Sequence, residues 1–141
     1  MKLKILILGL GGFLGSNFRF WLSDWACRHF QENLPYGTLI VNILGSFLLG
    51  IIMCYATESK DLVPLIKLFL GTGMMGAFTT FSALSFETLE MLKKSNYRLA
   101  ILNTTMNITL GIAAVWIGYE IAKIAIHLTH PQYVESPQRN L

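Results

Sequence analysis

The sequence predicts an all-α integral membrane protein with four transmembrane helices, the third of them interrupted. Of its 141 residues, 53% are hydrophobic and only 13% are charged, whereas soluble domains carry about 25% charged residues. Four apolar segments reach or exceed the roughly 20 residues that a membrane-crossing helix needs. These spans are expected at about residues 3–22, 36–56, 62–92 and 99–126. We expect one four-helix transmembrane domain over residues 1–130, followed by a polar tail over 131–141.

The first span begins like a secretory signal peptide. No small-residue cleavage site follows its apolar run, so we expect it to remain as the first helix of the mature protein. Gly11 and Gly15, and likewise Gly12 and Ser16, are four positions apart, a spacing that lets another helix approach closely. Arg19 either extends from the end of this span towards the membrane surface or lines a vestibule and attracts anions.

The second span carries one face of small and polar residues at helical spacing. Its members are Thr38, Asn42, Gly45, Ser46 and Gly50. Because the hydrocarbon core holds no water, polar side chains in a span must face protein or an aqueous cavity. No acidic residue lies in the first or second span, which argues against a transporter that couples to protons through an early carboxylate.

The third span contains residues that weaken a helix in its middle. Three glycines are followed by hydroxyl residues that compete for backbone hydrogen bonds. They are Gly71, Gly73, Gly76, Thr79, Thr80 and Ser82. The stretch therefore predicts a discontinuous helix near the bilayer centre, where freed carbonyls bind cations and half-helix N-termini attract anions. The alternative is a continuous, closely packed glycine helix whose threonines bond internally.

The fourth span repeats the polar pattern of the second. Asn103, Asn107 and Gly111 recur at steps of four residues and so share one helix face. Two asparagines on one buried face are costly unless they have partners. The stripe predicts either part of an ion pathway or polar contacts that hold the helices together.

The basic residues give almost no orientation bias. An even number of spans puts both termini on one side. That side receives Lys2, Lys4, Lys60, Lys67, Lys123 and Arg139, and the other receives Arg19, Arg28, Lys93, Lys94 and Arg98. Because an excess of Lys and Arg normally marks the cytoplasmic side, this balance predicts insertion in both orientations and an antiparallel dual-topology dimer. The alternative is a single topology set by Lys2 and Lys4.

Several function classes find no support in the residues. The net charge is only +3 and no large basic cluster is present, so no nucleic-acid partner is expected. The two cysteines have no metal-ligand spacing. No nucleophile–base pair and no phosphate-binding loop appears, so no enzymatic activity is expected.

Three motifs resemble those of the Fluc family of bacterial fluoride channels, also called CrcB. They are GGFLGSNFR at Gly11–Arg19, GTLIVNILGSF at Gly37–Phe47 and GTGMMGAFTTFSALSFE at Gly71–Glu87. Together they cover nearly the whole chain in the order of the family. The third motif, with its pattern G-x-x-G-x-x-T-T-F-S, is specific.

The resemblance implies a fluoride-selective channel that lets fluoride leave passively across the inner membrane and so confers fluoride resistance. It implies two inverted copies forming a lipid-embedded homodimer with two pores. A structural sodium ion would lie at the dimer centre. Its ligands would be the backbone carbonyls of Gly76 and Thr79 from both subunits, hard oxygen donors that suit such a cation.

The resemblance also assigns a fluoride pathway. Asn42 would donate from its amide, and Phe81 would offer the positive edge of its ring. The other implied pathway positions are Thr38, Thr80, Ser82, Leu84, Asn103 and Asn107. Arg19 would lie in the vestibule, and the role of Glu87 is left open.

One departure from the family pattern leaves alternatives. The family usually continues T-T-F-S-T-F, but here Ala83 and Leu84 replace the second threonine and the second phenylalanine. Either the pore works with Phe81 and the polar track, or the chain belongs to an obligate heterodimer. A small proton-coupled multidrug-type exporter would need Glu87 or Glu120 buried and titrating. An accessory membrane protein would show no ion flux.

Overall fold

The computed structural model describes residues 1–30, 34–59 and 64–129. All secondary-structure elements within these ranges are helices. The predicted tail at 131–141, and Lys60 and Arg139 of the charge count, lie outside the described residues. The elements in chain order are α1 (Lys2–His29), α2 (Tyr36–Cys54), π1 (Tyr55–Ser59), α3 (Pro64–Lys67), π2 (Leu68–Met75), α4 (Gly76–Phe78), α5 (Phe81–Lys93) and α6 (Tyr97–Thr129).

Four helical segments are long and apolar enough to cross a membrane. They are Lys2–His29, Tyr36–Glu58, Pro64–Lys93 and Tyr97–Thr129. The prediction of an all-α, multi-pass membrane protein with four such helices is therefore confirmed. The third segment is built from α3, π2, α4 and α5, whereas α1 and α6 are continuous α-helices.

The first helix continues beyond the predicted span. The span was expected at about residues 3–22, and α1 extends to His29. With 28 residues the helix is about 42 Å long, which exceeds the roughly 30 Å of the hydrocarbon core. Asp24 and Arg28 form an i,i+4 ion pair in the added turns, and the next proline is Pro35. A change to polar residues marks where a helix leaves the hydrocarbon core, but the helix can continue beyond that point.

Glycines bring the helices into backbone contact, as the spacing in the first span predicts. A Cβ atom placed on Gly11 or Gly15 would overlap carbonyl oxygens of Phe69 and Met74 in the third segment. The α2 and α6 helices pack along much of their length. Their contact depends on Gly118, where a Cβ atom would overlap the Phe47 carbonyl oxygen.

The surface and the interior have the polarity expected of a membrane protein. Large apolar side chains such as Phe20, Trp116 and Leu128 are exposed. The interior holds both an apolar cluster around Val41, Met75 and Phe78 and the buried polar side chains Thr38, Asn103 and Asn107.

Replacing Gly118 by valine is expected to separate α2 from α6. The new side chain would meet backbone rather than a yielding side chain, so the destabilisation should reach or exceed the roughly 1–3 kcal/mol typical of overpacking. Thermal unfolding of the purified protein in detergent, followed by size-exclusion chromatography, measures the loss.

The matched control is Gly9→Val, because nothing lies within 4 Å of a Cβ atom at Gly9. Equal melting temperatures for the Gly118 variant and the wild type would contradict the assigned α2–α6 contact.

Candidate functional site

Two extended residues separate α4 from α5. Thr79 has φ −74° and ψ 157°, and Thr80 has φ −149° and ψ 113°, both outside the helical region. The last helical bond before them runs from the Thr79 N–H to the Met75 carbonyl at 3.0 Å. Thr80 then starts α5 as its N-cap, since its hydroxyl accepts a hydrogen bond from the Ala83 N–H at 3.2 Å.

Asn42 of α2 holds this extended segment from both sides. Its side-chain oxygen accepts from the Thr80 N–H at 2.8 Å, and its Nδ2 donates to the Thr80 carbonyl at 3.2 Å. In a continuous α-helix the Thr80 N–H would instead bond the Gly76 carbonyl, four residues earlier. The side chain of Asn42 thus replaces a helical bond and releases that carbonyl from its usual donor.

The asparagines of α6 continue the network, so the polar faces predicted for the second and fourth spans meet. Asn42 Nδ2 also donates to Asn107 Oδ1 at 2.9 Å. Asn107 Nδ2 donates to the Oδ1 and the carbonyl oxygen of Asn103, at 3.2 and 3.0 Å. Asn103 is fully buried, and its Nδ2 donates to Thr88 Oγ1 at 3.4 Å. Each amide is therefore satisfied, and the chain of bonds joins α2, α5 and α6.

Thr88 is the member of this network that the sequence reasoning missed. It lies on α5 with its hydroxyl 3.3 Å from that of Thr104. A signal was present, because Thr80, Leu84 and Thr88 are spaced four residues apart and so share a helix face. Thr109 on α6 is different, because its hydroxyl donates to the carbonyl of Thr105 on the same helix.

A second polar contact joins α2 and α5 nearer the end of the bundle. The Thr38 hydroxyl donates to Glu87 Oε1 at 2.5 Å. The other carboxylate oxygen of Glu87 is buried and has no hydrogen-bond partner within the described part of the chain. The structure thus brings Glu87, whose role the sequence left open, to the same helix face of α2 as Asn42.

Two open cavities meet at Thr80. The larger, of about 760 Å³, is lined by Arg19, Asp24, Thr38, Thr80 and Ser82 among others. The smaller, of about 250 Å³, is lined by residues of the network and its surroundings, among them Asn42, Thr80, Phe81, Leu84 and Asn107. Most of the sequence-predicted site residues therefore line one of two adjoining spaces, with Asn103 buried behind them.

Two side chains of the T-T-F-S-A-L stretch, Phe81 and Leu84, differ in exposure. The side chain of Phe81 is 78% exposed, whereas Leu84 is only 5% exposed. Leu84 packs inside the four-helix unit, and the ring of Phe81 projects from it. The Ser82 hydroxyl lies 3.2 Å from that of Thr80, and both border the larger cavity.

Around α4, the groups that could bind a hard cation are backbone carbonyl oxygens. Among the described residues no group of three or more His, Cys, Asp or Glu side chains could hold a metal ion. The Thr79 hydroxyl is engaged with the Met75 carbonyl at 3.0 Å. The Thr80 N–H, which would bond the Gly76 carbonyl in a continuous α-helix, bonds Asn42 instead. Carbonyl oxygens are ligands of the kind that hard cations prefer.

Comparison with known proteins identifies the family. The family described as "CrcB-like protein, Camphor Resistance (CrcB)" matches residues 6–119, which reach from the first span into the fourth. The chain belongs to the CrcB family.

Relatives within the CrcB family are named as fluoride-specific ion channels FluC. One from Clostridium perfringens is 47% identical over 122 residues, covering 86% of this chain and 95% of the relative. One from Campylobacter jejuni is 41% identical over 119 residues, covering 84% and 97%. One from Roseiflexus sp. is 38% identical over 122 residues, covering 86% and 98%. CrcB proteins named in this way are channels, so the protein is not an enzyme.

Substitution of Thr88 by valine is expected to destabilise the fold. It leaves the buried amide of Asn103 without its partner, which typically costs about 1–3 kcal/mol. Thermal unfolding in detergent measures the effect, and Thr88→Ser should restore most of it.

Thr109→Val is the matched control, because its exposed hydroxyl bonds only its own helix. A Thr88→Val protein as stable as the Thr109→Val protein would show that the Asn103–Thr88 bond contributes nothing.

Proposed function

We propose that this chain is the subunit of a fluoride-selective channel in the inner membrane, through which fluoride leaves the cell down its gradient. The observation that carries the proposal is the 47% identity, over 122 residues, to a protein named as a fluoride-specific ion channel. The polar network at Thr80 supplies a chemical reason. Fluoride must exchange its hydration shell for protein donors, and it must do so weakly enough to leave again.

The proposed pathway follows the two cavities. Arg19 attracts the anion into the larger cavity, where the hydroxyls of Thr38, Thr80 and Ser82 are available as donors. From Thr80 the path continues along the amides of Asn42 and Asn107 in the smaller cavity. Asn103 is fully buried, so we assign it the role of orienting Asn107 rather than contact with the ion.

The proposed assembly is an antiparallel, dual-topology homodimer with two pores, surrounded by lipid. Three observations support it: the near-equal basic charge on the two sides, the exposed ring of Phe81, and the extended residues Thr79 and Thr80. In this proposal the extended segment lies near the bilayer centre. Extended backbone is tolerated there only when it is buried in protein or lines a wet cavity, which a second subunit would provide.

A structural sodium ion is proposed at the dimer centre, held by the carbonyls of Gly76 and Thr79. Its support is the Gly76 carbonyl, whose helical donor is diverted to Asn42. A bound sodium ion would offset the repulsion between the partial negative charges of these carbonyl oxygens, which face each other in two inverted subunits.

The position of Leu84 bears on whether the proposed dimer is a homodimer or a heterodimer. Leu84 is packed inside its own subunit and borders the smaller cavity, where it offers an apolar wall without a ring edge. The homodimer proposal requires that Phe81 and the polar track suffice. An obligate heterodimer remains the alternative, in which a partner chain supplies the missing ring.

Release of fluoride from liposomes tests the function. Vesicles loaded with potassium fluoride or potassium chloride and containing only the purified protein are given valinomycin, and anion release is followed with selective electrodes. A self-sufficient passive channel releases fluoride rapidly, chloride negligibly, and only after valinomycin balances the charge. No release from well-folded dimers would contradict the homodimeric channel.

A proton-coupled exporter is the second candidate. The observation that favours it is the carboxylate of Glu87, one oxygen of which is buried and has no hydrogen-bond partner among the described residues. Such an exporter would need a pH gradient and would not need valinomycin. Flux driven by a pH gradient and abolished by Glu87→Gln would support it against the channel.

Asn42→Ala is expected to lower fluoride release at least about tenfold, because it removes the clamp on Thr80 and the bond to Asn107, interactions each worth about 1 kcal/mol or more. Thr109→Ala is the control. Wild-type release rates from a folded Asn42→Ala dimer would show that the proposed pathway is wrong.

Replacing sodium by N-methylglucamine is expected to lower the thermal stability of the dimer, because a ligand that binds only the assembled state stabilises it by mass action. The melting temperature measured against sodium concentration tests this. A flat dependence up to molar sodium, at constant ionic strength, would contradict the proposed ion site.

A further inference from the structure

The larger cavity contains an acidic side chain as well as the basic one. Arg19 and Asp24 both line it, although the sequence pattern singled out Arg19 alone. Asp24 is present at the cavity because α1 continues as a helix to His29. A carboxylate at the mouth of an anion pathway repels the ion that Arg19 attracts, so the two charges cancel unless a third group intervenes.

Arg28 is that third group. Its guanidinium lies 2.7 Å from the Asp24 carboxylate, one helical turn further along α1. Arg28 is not among the residues that line the cavity, and its side chain is 74% exposed against 45% for Asp24. Arg19 forms no ion pair with any described residue. With Asp24 compensated, the three side chains together carry a net charge of one positive unit.

We propose that the Asp24–Arg28 pair sets the anion concentration in the larger cavity, by neutralising Asp24 so that the charge of Arg19 prevails. This inference rests on the proposed fluoride channel. Arg28 thus acts as a positioning and charge-balancing residue and does not touch the ion. An exposed pair of this kind contributes little to stability, so its effect on an anion concentration is the more measurable consequence.

The physical signature is a dependence on ionic strength. Fields between exposed charges extend about 30 Å at 0.01 M salt and only about 3 Å at 1 M. Loss of the Arg28 charge should therefore slow fluoride entry at low ionic strength and leave it unchanged at high ionic strength. A change in packing or folding would persist at both.

The experiment measures fluoride release from liposomes containing the purified full-length protein, with valinomycin, at low and high concentrations of potassium gluconate. Arg28→Gln should lower the initial rate about threefold at low salt, the size expected for one unit charge near a cavity mouth. Arg28→Lys, which keeps the charge, should retain the wild-type rate.

A double variant tests whether the net charge alone explains the effect. Asp24→Asn combined with Arg28→Gln removes both charges of the pair and should return the low-salt rate to that of the wild type. Lys2→Gln removes the same charge about 39 Å away along α1 and should leave the rate unchanged.

The outcomes distinguish a failure of the proposed channel from a failure of the proposed role of the Asp24–Arg28 pair. No fluoride release from the wild type overturns the channel and this inference with it. A conducting wild type with an unchanged Arg28→Gln variant at low salt overturns the inference alone. So does an Arg28→Gln deficit that the double variant fails to reverse, or one that persists at high salt.

Discussion

The pair of hydrogen bonds between Asn42 and Thr80 is the interaction on which the rest of the site depends. A helix that stops within a membrane protein leaves backbone groups without partners, and no water in the hydrocarbon core can satisfy them. Asn42 satisfies both the N–H and the carbonyl of Thr80 with one side chain. The extended segment is thereby fixed to α2, and α5 can begin at a defined position with the Thr80 hydroxyl as its cap.

The same side chain couples this segment to the fourth helix. The Asn42 amide reaches Asn107 as well as Thr80, so the orientation of one amide depends on the buried chain through Asn103 to Thr88. In a low-dielectric interior, such polar groups strengthen each other when all are satisfied and are costly when one is lost. In the proposed anion pathway, Asn42 and Asn107 would therefore be held in position by Asn103 and Thr88, which do not meet the ion.

Sequence periodicity could predict the spans and the polar faces because membrane burial imposes both. Length and hydropathy predicted four helices. The spacing of the polar residues predicted one polar face on the second span, with Asn42, and one on the fourth, with Asn103 and Asn107, and the two faces meet in the structure. The spacing of Gly11 and Gly15 also predicted a close approach by another helix, which the structure shows to be the third segment. Helix ends were less predictable, since Ser23, Asp24 and Arg28 are as compatible with a helix in water as with a loop. The choice of Thr80 as the residue that leaves the helix depends on Asn42, 38 positions away, which no local pattern encodes.

The exposure of Phe81 bears on the proposed dimer. Its ring is 78% exposed while Leu84, three residues later, is 5% exposed, so α5 turns one side chain into its own subunit and the other outwards. An aromatic ring in lipid gains little from exposure, but against a second subunit it can present its positive edge to an anion. The replacement of a family phenylalanine by Leu84 therefore removes a ring from the side of α5 that the chain itself covers. Phe81 retains its ring on the exposed side of α5, where the proposed second subunit would cover it.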